Sequence, residues 1–419
     1  MRAAGRNSRR DIVAWALYDF GNSAFTTLVV TFIFSAYFTQ AIASDPERGA
    51  ILWSRAVNAS ALAVALLSPL LGAMADFSGR KKLFLFGATM LCVVPTFLLF
   101  FPGRGDVVSA LVLFAIANVG FEAGYVFYNA FLPEISTRET IGRVSGFGQG
   151  LGYFGGLAAL LIALGMVRGW VPKTGDLNVR ATNLLVAGWF VVFALPLLLF
   201  LRERRDPDRP RLGFGALAST GFRRLGGTIR HLRTYRDAAK LIVARMIYND
   251  GLVTVFSFAS IFAAATFGLT TEQLIVFGIV INIVSGVGSF LLGPVTDRIG
   301  GKRTILITLV VLVIATILGA TAATIRQFWV SAILLGLMVG PNQAASRSLL
   351  GLLTPEEKHA EFFGFFAFSG KLASVAGPLL YGVTLQATSS QRMAMGSILI
   401  FFLVGAAILV FVRDPVGPS

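Results

Sequence analysis

The sequence predicts an all-α polytopic membrane protein with twelve transmembrane helices in two six-helix bundles. Three observations predict it. Of 419 residues, 55% are hydrophobic and only 14% charged, against roughly 25% charged in a soluble domain. Apolar runs of membrane-spanning length recur along the whole chain, and one glycine–aspartate loop signature occurs at matching places in the two halves.

Composition also excludes function classes. Forty-five glycines and thirty-seven phenylalanines stand beside two histidines and one cysteine, which leaves little material for a metal centre, a disulfide framework or a histidine-based active site. Neither an enzyme nor a cofactor is expected. Cys92 lies inside an apolar run and reads as a small packing residue. The net charge of +15 is dispersed in short basic clusters between apolar runs. That arrangement orients a polytopic protein and meets anionic lipid, so no nucleic-acid partner is expected.

A bilayer core of about 30 Å needs roughly 20 apolar residues in a helix. Runs closed by charges, proline or glycine fall at 12–42, 51–75, 83–101, 107–132, 144–167 and 182–201, then at 238–267, 273–296, 304–325, 328–353, 361–386 and 393–412. The first run follows Arg9 and Arg10 but carries Asp19 and far exceeds the apolar core of a signal peptide, so it is kept as a span. With the N-terminus inside, 25 Lys and Arg lie in inside segments and 8 in outside ones. Both termini are therefore expected in the cytoplasm.

Residues 1–201 and 238–419 form the two expected bundles, joined by a basic cytoplasmic linker at 202–237. The linker carries Phe214, Leu217, Phe222, Leu225, Ile229 and Leu232 at helical spacing, with Arg223, Arg224, Arg230 and Arg233 on the other face. It reads as an interfacial helix touching anionic lipid, the alternative being a solvated tether.

Gly72, Asp76, Gly79 and Arg80 follow the second span; Gly293, Asp297, Gly300 and then Lys302 follow the eighth. Both stretches read G-x-x-x-D-x-x-G ahead of basic residues. Same-direction repeats of six helices imply two bundles related by an axis along the membrane normal. On this duplicated signature the chain resembles the major facilitator superfamily. The resemblance implies that Asp76, Arg80 and Asp297 latch the halves in one state of a transport cycle, the alternative being plain topology anchors. Gly301 departs from the pattern, replacing the usual basic residue after Gly300.

A narrower resemblance rests on several motifs: Trp15, Tyr18, Asp19, Gly21, Asn22, Ser23 and Phe25; Tyr128, Asn129, Leu132, Pro133, Glu134 and Ile135; and Gly142, Arg143, Ser145, Gly146 and Gly148. Gly340, Pro341, Gln343, Ser346, Arg347 and Ser348, with Phe368, Gly370 and Lys371, complete it. Together they resemble the vacuole-effluxer group, whose fungal members release amino acids from the vacuole and which has many bacterial relatives. That resemblance implies a transporter in a bacterial inner membrane.

An ionisable group near the membrane centre costs at least about 2.5 kcal/mol, so each one is a functional candidate. Asp19, Glu122, Arg245, Asp250, Arg347 and Lys371 qualify, in spans one, four, seven, ten and eleven. Asn118, Glu122, Tyr125 and Asn129 make one polar stripe, and Trp15, Asp19, Asn22 and Thr26 another. Such stripes line a wet cavity or bond helix to helix. Arg347 divides evenly between substrate or gate contact and structural pairing. Lys371 sits near the midplane and needs an acidic partner or a substrate carboxylate.

The substrate and coupling set is therefore Asp19, Asn22, Glu122, Tyr125, Asn129, Arg245, Asp250, Gln343, Arg347 and Lys371. The expected function is secondary active transport of a small polar, amino-acid-like solute by a monomer, coupled to protons, with Glu122 the first-choice proton carrier. The rivals are an amphiphile transporter or flippase, a channel, and a transporter-shaped sensor.

Overall fold

The computed structural model describes residues 8–43, 45–201, 203 and 213–415. Among them, twelve helices are long and apolar enough to cross a membrane. Spans one to six are Arg9–Ile42, Pro46–Ser78, Lys81–Leu98, Val107–Ile135, Ile141–Trp170 and Thr174–Phe200; spans seven to twelve are Leu232–Phe267, Glu272–Ile299, Gly301–Thr321, Ile325–Leu353, Glu356–Thr388 and Gln391–Val410. No strand occurs among the described residues. The chain is an integral, multi-pass, all-helical membrane protein. Arg2, Arg6, Arg202, Arg204, Arg205, Arg209 and Arg211, counted above for orientation, lie outside the described residues.

Local chemistry sets where the spans begin. Asp45 caps span two by accepting from the Glu47 amide at 3.0 Å, with Pro46 in the first turn, where its missing N–H costs nothing. Spans eight and ten each open on a capping box, Thr270 with Gln273 and Thr324 with Gln327. Gly79 ends span two at a φ of 60°, which few side chains tolerate.

The outer helices keep some large apolar side chains on their exposed faces. Val94, Val192, Val310 and Leu403, from spans three, six, nine and twelve, are each more than half exposed, as lipid-facing positions are.

Span eleven is interrupted near its middle. Its first half, His359–Leu372, and its second, Ala376–Thr388, are separated by a break at 373–375. The sequence reads there as one uninterrupted apolar run.

The chain forms two compact units. The first comprises Met1–Phe131, Leu151–Leu225 and Glu357–Gly364; the second comprises Leu132–Gly150, Gly226–Glu356 and Phe365–Ser419. They differ from the sequence halves 1–201 and 238–419 in two segments, one running from the end of span four into the opening of span five and the other at the opening of span eleven, and in where they divide the linker.

Candidate transport site

Those two segments are held by the two copies of the repeated signature. In the first unit, Asp76 Oδ2 accepts from the Glu361 amide at 2.8 Å, and Oδ1 pairs with Lys81 Nζ at 3.2 Å. Asp76 thus satisfies an amide that the first turn of span eleven leaves without a partner, and its charge faces the positive end of that helix. Gly72, one turn earlier, lies under Ala360, where a Cβ would meet the carbonyl carbon at 2.5 Å. A further turn back, Ser68 Oγ donates to the Gly364 carbonyl at 3.0 Å.

The second unit repeats this on span five. Asp297 Oδ1 accepts from the amides of Gly142 at 2.7 Å and Arg143 at 3.2 Å, and Oδ2 takes the Arg143 guanidinium. A Cβ on Gly142 would meet Thr296 Cβ at 2.7 Å, and one on Gly146 would meet the Ser289 carbonyl at 2.5 Å. Gly300 at φ 89° and ψ 158° occupies backbone space that is essentially glycine's alone.

The two copies are therefore longer than the sequence reading recognised. Ser68, Gly72 and Asp76 match Ser289, Gly293 and Asp297 at intervals of four, so all three lie on one helix face. The counter-charges differ: Lys81 follows the loop in one copy, whereas Arg143 comes from the gripped helix in the other. The backbone carbonyl of Arg80 accepts from the Leu83 and Phe84 amides at 3.0 and 3.2 Å, which opens span three.

A second matched pair went unread. Glu203, just past span six, accepts from the Lys82 amide at 3.0 Å, while Lys82 Nζ donates to the Leu201 carbonyl at 2.9 Å. Asp414, just past span twelve, accepts from the Lys302 amide at 2.8 Å, while Lys302 Nζ donates to the Val410 carbonyl at 2.6 Å. The signal was present as Phe-Leu-Arg-Glu ending at Glu203 and Phe-Val-Arg-Asp ending at Asp414.

Inside the first unit the polar stripes divide. Asn118 is buried and donates to Ser60 Oγ at 2.7 Å, which makes it a tie between spans four and two. Trp15 is fully buried; its ring stacks on Tyr128 at 4.4 Å, and Nε1 donates to the Tyr128 carbonyl at 2.9 Å. Both are structural ties. Glu122 and Tyr125, in contrast, are partly exposed, and the Tyr125 ring lies nearly parallel to that of Phe121. Asp19, Asn22 and Asn129 are buried, and Asn22 Nδ2 has no hydrogen-bond partner. A Cβ on Gly152 would lie 3.1 Å from Asp19 Cγ and from Ser23 Oγ, so glycine in span five admits the Asp19 carboxylate.

In the second unit, two charges of span seven address the two sides of the break in span eleven. Arg245 donates to the Phe366 carbonyl at 2.9 Å and Ser369 Oγ at 3.3 Å, with its guanidinium 3.5 Å from the centroid of the Phe366 ring. Asp250 accepts from the Ala376 amide at 3.0 Å and the Gly377 amide at 2.9 Å. A cation thus meets a carbonyl and a hydroxyl of the first half-helix and an anion meets amides of the second, the favourable sense of both helix dipoles. Pro378 has no amide, so Asp250 satisfies the first two donors of that half-helix and its third position needs none. Lys371 occupies the last turn before the break and is partly exposed.

Arg347 makes structural contacts with span five. It is 1% exposed; Nε donates to Ser145 Oγ at 3.0 Å and Nη2 to the Ser145 carbonyl at 2.8 Å. Ser348 Oγ lies 3.2 Å from the Ile141 carbonyl it donates to. Both residues therefore fasten the opening of span five beside the Asp297 cap. Gln343 Oε1 lies at 3.5 Å from Gln149 Nε2, at the outer limit of a hydrogen bond.

Comparisons with known proteins bear on the family and the fold. Residues 50–417 match the family described as vacuole effluxer Atg22 like. The MFS-type transporter YxiO of Bacillus subtilis is 29% identical over 412 residues, covering 96% of this chain and 94% of the relative. Autophagy-related protein 22 of Yarrowia lipolytica is 27% identical over 322 residues; the match covers 70% of this chain and about half, 54%, of that relative. Among solved structures, the human organic anion transporter MFSD10 superposes with a TM-score of 0.75 at 15% identity, covering 96% of this chain and 99% of that one. The proton:xylose symporter XylE gives 0.73 at 15% identity, covering 97% and 96%. At such identity these two speak for the fold alone. The match across most of the chain's length and the duplicated caps converge: the chain belongs to the vacuole effluxer Atg22-like family of major facilitator transporters.

Proposed function

We propose that this secondary transporter moves an amino-acid-like solute by alternating access and couples it to protons. The observation that carries the reading is the pair of carboxylate caps. Asp76 and Asp297 each hold the opening turn of a helix by amide hydrogen bonds and one ion pair. Such contacts are individually modest, about 0.5–2 kcal/mol for a cap, so they can be made in one state and released in the other.

In this reading residues 1–201 and 238–419 are the moving bundles of a monomer, 202–237 tethers them, and both termini face the cytoplasm of a bacterial inner membrane. Glu122, Tyr125, Asn22 and Asn129 face the solute in one bundle; Lys371 and Gln343 face it in the other, Lys371 meeting its carboxylate. Proton exchange requires a titratable group accessible in turn from each side, and Glu122 is the partly exposed acid among the deep carboxylates. Asp19 supports it, and Asp250 governs the bend of span eleven. The polar, two-signed character of these side chains favours a zwitterion over an amphiphile.

The test is a thermal-shift screen of the purified protein against amino acids, organic acids, sugars and lysolipids, followed by counterflow of the stabilising compound in proteoliposomes. A ligand bound only by the folded state raises its stability. Saturable counterflow of an amino acid is expected. Stabilisation by lysolipids alone would overturn the solute class.

A further inference from the structure

The helix Phe214–Arg230 lies outside the twelve spans and has two faces. Its inner face packs on span two: a Cβ on Gly221 would meet Met74 Cγ at 2.9 Å and Leu70 Cδ1 at 3.0 Å, and the Arg224 guanidinium lies 5.5 Å from the Phe77 ring centre. The residues it touches lead directly to Asp76.

Among the described residues the outer face has no such cover. Phe222 is 62% exposed and Ile229, seven positions on and thus on the same stripe, is 55% exposed. Arg223 and Arg230, also seven apart, run beside them, and Arg233 is exposed just beyond. No Asp or Glu occurs from 213 to 236. A solvated tether has no reason to present a phenylalanine and an isoleucine to water, and an apolar stripe edged by arginines matches the boundary between acyl chains and anionic headgroups. Charge complementarity without a single local acid selects an anionic surface over a zwitterionic one.

We infer that Phe214–Arg230 is an anionic-phospholipid docking helix, with Phe222 and Ile229 seated among the acyl chains and Arg223, Arg230 and Arg233 on the phosphates. Docking there braces the end of span two against which the helix packs, so lipid composition acts on the Asp76 cap. The surface itself does not depend on which solute is moved.

The test uses the full chain in nanodiscs of phosphatidylcholine alone or with about a third phosphatidylglycerol, and reads amide hydrogen exchange over 215–233. Phosphatidylglycerol is expected to slow exchange in the wild type, and each arginine replaced in Arg223→Gln/Arg230→Gln is expected to return about fivefold of that protection. Phe222→Ser/Ile229→Ser, at positions too exposed to support the fold, is expected to lower protection in both membranes. Equal exchange in the two membranes would overturn the proposal. So would phosphatidylglycerol-dependent protection that survives loss of both arginines. Because no solute enters the measurement, its failure is distinct from failure of the transport reading.

Discussion

Asp250 in span seven holds the amide of Gly377, 127 positions later in the chain, at 2.9 Å, and with it the opening turn of the second half of span eleven. Glycine is required at that place because a Cβ would run into Thr254 Oγ1 and Asp250 itself. The half-helix is capped by another helix instead of by its own preceding residue. Its position is consequently tied to span seven.

Asp250→Asn keeps one acceptor but turns an amide N–H₂ toward a backbone N–H, while Asp250→Ala removes both bonds. Loss of a cap costs about 0.5–2 kcal/mol, and bonds to a charged acceptor lie at the upper end. A graded fall in thermal stability is expected, with Asp250→Ala below Asp250→Asn below wild type. Gly377→Ala should fall with them, and no change in any of the three would remove the hinge role.

The caps on spans five and eleven are expected to act on conformational equilibrium. Asp76→Asn and Asp297→Asn should slow transport while leaving ligand affinity within a fixed conformation nearly unchanged. Asp297 should weigh more, since it accepts two amides and a guanidinium. Binding measured with the protein locked by a conformation-selective binder distinguishes the outcomes, and a severe affinity loss with unaltered state populations would contradict this.

Glycines facing another helix should be intolerant where those facing open space are not. Gly146→Ala and Gly364→Ala place a methyl against the Ser289 and Ser68 carbonyls, and overpacking of that kind costs about 1–3 kcal/mol. Gly188 and Gly382 have nothing within 4 Å of an added Cβ. Alanine there should be neutral or stabilising by up to about 1 kcal/mol, since helical glycine is disfavoured by that much. Urea or thermal unfolding of the four variants ranks them.

Much of the fold was legible because membrane helices announce themselves by hydropathy alone, and the loop signature by its spacing. Long-range partners were not. Nothing near Asp76 names Glu361 as its target, nor does the surrounding sequence connect Arg347 with Ser145, since helical periodicity reports a face and not what packs on it. Asn118 and Glu122 share a stripe in sequence, yet one ties to Ser60 and the other is partly exposed. The break in span eleven was legible only as glycines that permit bending, Gly370, Gly377 and Gly382: Leu372 to Ala376 contains small and apolar residues only, and the interruption is held by a cap from span seven. The serines four residues ahead of Gly72 and Gly293 stand at the same spacing in both copies and extend the legible signature by one turn.

The central claim is transport of an amino-acid-like solute driven through Glu122. It is tested most directly in proteoliposomes carrying the wild type or Glu122→Gln, by measuring uptake of a labelled amino acid with and without an imposed proton gradient, alongside solute exchange at equilibrium. Expected is gradient-driven accumulation by the wild type, its loss in Glu122→Gln, and exchange preserved in both. Gradient-dependent accumulation that persists undiminished in Glu122→Gln would contradict the account.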